Sequence, residues 1–347
     1  MKRKEIVKLL LFPLLLVSAV VSLDLFLFKN VSDDLNSYSN FFKEKEEALD
    51  VVLVGNSTVR EGFAPTVIWN EFNITSHGFS ASPTHPEVIK VAIDEIVNKQ
   101  HPKVMFIDLN GLTFQRKSDS EFFIKQYYKA IEDTEYKERL ENLYPYLKET
   151  KDDYELFKNH NNFRQQQYWE SLVYPEQFKT KGYYPNNIVY KVNPIEFDKT
   201  VVTPLPSDGE AYLNEILEQT DKYKNEMTFI FGKMPRYIAT NEDATAYQMF
   251  NYIEQRLSQT DYIFKDFTRE VEAIGLNPKQ DFKDHEHLNH LGTLKFVRYF
   301  ANYLTNDIHL VKKEKSEDII LDFDEAYEKT KDYLKRIEDN LKRITGQ

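Results

Sequence analysis

The chain has 347 residues, of which 41% are hydrophobic and 29% are charged, a composition typical of a folded protein. Its net charge of -11 argues against nucleic acid as a partner, because phosphates select basic surfaces. Because the chain has no cysteine, it cannot form disulfides, thiolate metal sites or a cysteine nucleophile.

The first 30 residues predict an N-terminal transmembrane anchor. An apolar run over 9–28 would reach roughly 30 Å as a helix, enough to cross a bilayer. It follows the basic residues Lys2, Arg3, Lys4 and Lys8 and precedes acidic ones, so the positive-inside rule predicts a cytoplasmic N-terminus and an extracytoplasmic remainder. The alternative is a signal peptide cleaved after Ser22, which also predicts export.

Alternating strand and helix patterns follow the anchor. A continuous apolar run typical of a buried parallel strand occurs at 48–55, and further strands are predicted at 72–79, where the pattern is weaker, and at 102–110, 227–234 and 261–267. Helical spacing is found at 86–100, 208–222, 242–259 and 292–305. The expected fold class is therefore α/β, a flavodoxin-like doubly wound parallel sheet.

The sheet pattern is interrupted once and flanked by two polar segments. Between 112 and 206 the sequence is rich in Tyr, Phe, Lys, Glu and Asn, and its length predicts a mostly helical insertion within a domain spanning 48–311. Residues 31–47 are polar and predict a juxtamembrane stalk. Residues 312–347 are highly charged, with apolar residues at helical intervals, and predict a helix packed on the domain.

Several polar residues follow the predicted strands, where open α/β sheets bind their ligands. Ser57 lies in the glycine-led turn GNST, and Asn110 follows the third strand. Asp284 and His287 are three residues apart before the last helix, so one turn can direct both toward the same edge of the sheet. In such an arrangement the Asp orients the His, and the His can deprotonate the Ser, whose oxygen then acts as a nucleophile. The alternatives are a helix-capping Ser and a turn Asn.

These residues resemble the conserved blocks of the SGNH, or GDSL-like, hydrolase superfamily. The matching positions are Ser57 in GNS, Gly78, Asn110, and Asp284 with His287 in D-x-x-H, followed by HLN-x-x-G at 287–292. The resemblance implies a catalytic triad of Ser57, Asp284 and His287. It also implies an oxyanion hole formed by Ser57, Gly78 and Asn110, and a reaction that needs no cofactor or metal.

The anchored layout is similar to a subset of that superfamily, the DltD-like and alginate-type O-acetylation proteins. This resemblance implies an extracytoplasmic serine acyl-ester hydrolase or O-acyltransferase at the cell membrane. Its expected substrate is a D-alanyl or acetyl ester of a cell-envelope glycan or teichoic acid. Its expected partner is a membrane-bound O-acyltransferase.

Two other interpretations remain open from the sequence. A metal site is possible because His285, His287 and His290 cluster with Asp284 and Glu286, all potential ligands. A non-catalytic scaffold, or partner of a membrane-bound O-acyltransferase complex, would need only the anchor and the insertion.

Overall fold

The structure, a computed structural model, describes residues 11–16, 18–20, 22, 33–149 and 180–346. Its centre is a parallel sheet with the spatial strand order β2-β1-β3-β4-β5. This 2-1-3-4-5 order is the one found in flavodoxin-like, doubly wound sheets. The strands are β1 (Val51–Gly55), β2 (Ser76–Ser80), β3 (Val104–Asp108), β4 (Thr228–Lys233) and β5 (Ile263–Asp266).

The strand sequences account for their places in the sheet. Every residue of β1 and β3 is buried, as expected for central parallel strands that are covered on both faces. β5, at one edge, is mostly half-buried and includes Lys265. A parallel sheet with helices confirms the α/β class predicted from the sequence.

Helices connect the strands and flank the sheet. From residue 33 onward, the α-helices of the described part of the chain are α1 (Asp33–Phe42), α2 (Ser57–Gly62), α3 (Pro65–Phe72), α4 (Pro86–Gln100), α5 (Ser120–Ala130), α6 (Thr134–Leu143), α7 (Ser207–Asp221), α8 (Asn241–Leu257), α9 (His290–Asn306) and α10 (Glu317–Thr345).

Two apolar cores lie on opposite faces of the sheet. Successive residues of β3 alternate between them, so Met105 and Ile107 belong to one core and Val104 and Phe106 to the other. Helices α1, α4, α7 and α8 cover the first face, and α2, α3 and α9 cover the second. The helix that begins at Ser57 and the helix that begins at His290 therefore share one face of the sheet.

The predicted stalk at 31–47 needs correction, because its second half is part of the domain. The side chains of Tyr38 and Phe41 in α1 are buried, and their rings lie 4.9 and 5.1 Å from the ring of Phe79 in β2. Burying these aromatic surfaces stabilises the packing of α1 on the sheet. A solvated linker would leave them in water.

The segment at 112–206 was predicted as a helical insertion. Its described residues form two parts that differ in secondary structure. Its first part contains α5 and α6, whose residues Ile124, Tyr127 and Leu140 are buried in the first core. Residues 150–179 lie outside the described residues, and 180–206 contain neither helix nor strand.

The predicted membrane anchor at 1–30 lies mostly outside the described residues. Within the residues that the structure does describe, no helix combines the length and the apolar character needed to cross a membrane.

Candidate active site

Ser57 lies at the carboxyl end of β1, where the chain turns directly into α2. Asn56 caps this helix, because its side-chain oxygen accepts a hydrogen bond from the backbone N–H of Thr58 at 3.0 Å. Gly55 allows α2 and β3 to approach closely, since a Cβ there would lie 2.5 Å from Cγ2 of Val59 and 2.8 Å from the Cβ of Asp108. The helix therefore begins at Ser57, whose side chain is half-buried at the edge of the sheet.

The structure brings Ser57, His287 and Asp284 together. The Oγ of Ser57 lies 2.7 Å from Nε2 of His287, and Nδ1 of His287 lies 2.9 Å from both carboxylate oxygens of Asp284. A carboxylate facing Nδ1 assigns the proton to that nitrogen, which leaves Nε2 as the acceptor for the Ser57 hydroxyl. This is the hydrogen-bond order of a nucleophile, its base and the group that orients the base.

Asp284 is held in its ionised form. Burial alone raises the pKa of its carboxyl group, but the hydrogen bond and charge of His287, with the backbone N–H groups of Glu286 and His287, hold that pKa well below its usual range. Both N–H groups donate to Oδ1 of Asp284 at 2.8 Å. The carboxylate is thus fixed as an acceptor for the imidazole.

The residues after His287 hold this loop at the start of α9. Asn289 is buried, and its side-chain oxygen accepts from the backbone N–H of Gly292 at 3.2 Å, which caps the helix. Its side-chain amide donates to the carbonyl groups of Gln280 and Ile188, at 2.7 and 3.1 Å. The HLN-x-x-G pattern therefore has a structural meaning: it joins the base to a capped helix.

Asn110 follows the end of β3 and is linked through Asp108 to Thr58, the residue after Ser57. The carboxylate of Asp108 accepts from the hydroxyl of Thr58 at 2.8 Å and from the backbone N–H of Asn110 at 2.7 Å. Burial raises the pKa of Asp108, and these hydrogen bonds oppose that effect. Asp108 thereby couples the turn at Asn110 to the residue that follows Ser57.

Gly78 does not fit the predicted oxyanion hole, and this part of the prediction needs correction. It lies in the middle of β2, paired with Leu53, while the last residue of the strand, Ser80, pairs with Gly55. Its backbone N–H donates to the carbonyl of Lys181 at 3.1 Å, so that donor is already used. Among the three predicted donors, only Ser57 and Asn110 lie at the carboxyl edge.

The alternative metal ligands are not brought together. His287 is hydrogen-bonded to Ser57, and His290 is buried with its Nδ1 2.7 Å from the hydroxyl of Tyr183. Within the described ranges, the cluster with metal-ligand spacing is Asp243, His285 and Glu286. Its two carboxylates already share one cation, as described next.

The guanidinium of Arg236 lies between those two carboxylates. Its Nη1 donates to Oε1 of Glu286 at 3.0 Å, and its Nη2 forms a close ion pair with Asp243. The Arg236 side chain is 3% exposed, so these acidic groups provide the partners that a buried cation needs. The cluster is therefore accounted for as a structural ion-pair network.

Sequence reasoning missed three charged residues that surround the loop containing Asp284 and His287. Besides Arg236 they are Glu61, four residues after the serine, and Lys283, directly before Asp284; Lys283 Nζ lies 2.7 Å from Oε2 of Glu61. The sequence offered one indication of these residues: each is close in sequence to Ser57, to Asp284 or to the end of a strand. Pairing across 222 positions cannot be inferred from a single sequence.

Comparison with known proteins adds little to this geometry. No protein-family model matches the chain, and no curated protein matches it. A solved structure described as BT4096, a gut microbial diltiazem-metabolizing enzyme, aligns with a TM-score of 0.34 and 11% sequence identity. The alignment covers 75% of this chain and 48% of that structure, so the chain spans about half the length of the protein it matches.

Proposed function

We propose that this protein is an extracytoplasmic serine acyl-ester hydrolase or O-acyltransferase of the SGNH type. One observation carries the proposal: the continuous hydrogen bonds from Ser57 through His287 to Asp284. A Ser capping a helix has no need of a base at 2.7 Å, nor does that base need a carboxylate at 2.9 Å from its other ring nitrogen. The arrangement is the one that activates a serine hydroxyl for attack.

The reaction begins with proton transfer from Ser57 to Nε2 of His287 as the serine oxygen attacks an ester carbonyl. Asp284 keeps the imidazole in the reactive tautomer and stabilises its positive charge. The tetrahedral oxyanion is stabilised by the backbone N–H of Ser57 and the side-chain amide of Asn110. Return of the proton from His287 to the leaving alcohol leaves an acyl group on Ser57.

The acceptor decides the outcome of the second half-reaction. Water, deprotonated by His287, releases the acid and makes the protein an esterase. A hydroxyl group of a polyol or glycan takes the acyl group instead and makes it a transferase. The resemblance to anchored SGNH proteins supports a D-alanyl or acetyl ester of a cell-envelope glycan or teichoic acid, with a membrane-bound O-acyltransferase as partner.

An active-site fluorophosphonate tests the chemistry and the location together. We expect a membrane-impermeant probe to modify Ser57 on intact cells, as shown by mass spectrometry of the labelled peptide. Labelling that requires cell lysis would overturn the extracytoplasmic location and leave the serine chemistry intact. Absence of labelling in the purified protein would favour the scaffold interpretation.

Substitution of the triad gives the matching kinetic test. Ser57→Ala and His287→Ala should each reduce turnover of a model acyl ester by about 10⁴-fold or more, because the residues act as one unit. The double variant should be hardly slower than either single variant. His285→Ala is the neighbouring control, since this half-exposed histidine has no contact with Ser57. Full activity of Ser57→Ala would refute the mechanism.

A further inference from the structure

The loop that carries the catalytic base is joined by an ion pair to the helix that carries the nucleophile. Lys283 immediately precedes Asp284, and its Nζ lies 2.9 and 2.7 Å from the two carboxylate oxygens of Glu61. Glu61 belongs to α2, the helix that begins at Ser57. One contact thus spans the two parts of the chain that must meet for proton transfer.

Glu61 is more than a surface partner. Its side chain is 4% exposed, and its Oε2 also accepts from the side-chain amide of Asn186 at 2.8 Å. Its backbone carbonyl accepts from the hydroxyl of Thr293 in α9 at 2.9 Å. The carboxylate therefore has fixed donors, and its position is set by three separate segments of the chain.

The backbone of Lys283 is also held in place by a hydrogen bond. Its N–H donates to the carbonyl of His287 at 2.9 Å, which closes the loop from 283 to 287 into a turn. The lysine side chain is 24% exposed, so most of it is removed from water. Movement of Lys283 away from Glu61 would therefore move the backbone of His287 as well.

We propose that Glu61 and Lys283 are positioning residues that hold His287 within hydrogen-bonding distance of Ser57. A buried ion pair gives little net stability on average, because desolvation of both charges offsets their attraction. Its effect here is geometric: it fixes the distance between nucleophile and base. The inference rests on the proposed serine mechanism, which would supply the reaction that the pair supports.

The test is the rate at which a fluorophosphonate modifies Ser57 in the purified full-length protein. Lys283→Met and Glu61→Gln should each slow modification on the order of 10²-fold, as expected for a displacement of about 1 Å between reacting groups. Lys283→Arg keeps the charge and should recover most of the rate. With a model ester, kcat should fall while KM stays near the wild-type value.

Repeating the measurement in a His287→Ala protein separates a positioning role from a general loss of structure. If Lys283 acts through the base, Lys283→Met should not slow modification further in a His287→Ala protein. A merely structural role would slow it equally in both backgrounds, and that result would overturn the inference. The comparison stays valid when the variant is partly unfolded, because unfolding affects both backgrounds alike.

A distant ion pair provides the matched control. The side chains of Glu44 and Lys181 are 7% and 8% exposed, with 2.8 Å between Oε2 and Nζ, and Lys181 pairs further with Asp322 of α10. Glu44→Gln should lower stability and leave the rate of Ser57 modification unchanged. Unmodified wild-type protein would refute the proposed function itself, whereas normal modification of wild type, Glu61→Gln and Lys283→Met would refute only the positioning role.

Discussion

Asn110 carries a side-chain amide that forms no hydrogen bond with any described residue, although the residue is only 6% exposed. Its backbone groups are occupied, since the N–H donates to Asp108 and the carbonyl accepts from Thr113. A side-chain amide without a protein partner can donate to a ligand that reaches this edge of the sheet. A developing oxyanion on the substrate would supply that partner.

The two residues proposed beside Ser57 for the oxyanion hole should therefore respond differently to substitution. Asn110→Ala should reduce kcat for a model ester by about 10²- to 10³-fold, the usual effect of removing one oxyanion donor. Gly78→Ala should have little effect on kcat, because its N–H already bonds Lys181 and a Cβ there meets its neighbours at 3.4 Å or more. Steady-state kinetics decide between them. Equal losses would return Gly78 to the site.

The C-terminal helix α10 is a structural element of the domain. Phe323 is fully buried, its ring lies 5.4 Å from that of Trp69, and the Nζ of Lys181 lies 4.4 Å from its centroid. Trp69 also donates its indole N–H to Asp324 at 2.8 Å. These contacts join α10 to α3 and to the segment that follows residue 180.

Truncation of that aromatic contact should be measurable. Phe323→Ala should lower the free energy of unfolding by about 3–5 kcal/mol, the range for a large-to-small change in a core. Leu321→Ala is the control on the same helix, since Leu321 is 59% exposed, and it should change stability by no more than about 0.5 kcal/mol. Denaturant unfolding measures both values. Equal, small effects would mean that α10 is not packed as described.

Periodicity predicts elements well where burial is continuous. The apolar run at 102–110 became β3 (Val104–Asp108), and the helical spacing at 208–222 became α7 (Ser207–Asp221). The short helix α1 was missed, because two buried positions, Tyr38 and Phe41, among polar residues give no clear period. Ser57, Asp284 and His287 could be predicted because they lie near strand and helix ends. The use of the Gly78 N–H depends on Lys181, a tertiary contact without a local signal.

Three regions separated in the sequence converge on one buried lysine. Lys181 forms ion pairs with Glu44, which follows α1, and with Asp322 of α10. Burial raises the pKa of Glu44, and the charge of Lys181 opposes that effect. The predicted stalk, the returning end of the insertion and the C-terminal helix are therefore tied to the same domain.

Acidic pH should lower the free energy of unfolding, because a buried histidine, His290, lies at the start of α9. Burial lowers the pKa of His290 to about 4, with Glu338 opposing and Arg298 adding to the effect. The unfolded chain binds a proton near pH 6.5, so between about pH 6.5 and pH 4 it binds more protons than the native state. Stability contributed by neutral His290 is complete above pH 6.5 and is lost as the pH falls toward 4.

The expected loss from this one group is roughly 3 kcal/mol across that interval, at 1.36 kcal/mol for each pKa unit. His290→Gln should be less stable than wild type at pH 7, because the hydrogen bond with Tyr183 changes, but should lose less stability on acidification. Denaturant unfolding from pH 7 to pH 4 gives the comparison. His101→Gln alters an exposed histidine and should follow the wild-type curve. If the His290→Gln curve also follows the wild-type slope, proton uptake at this site does not control the acid response.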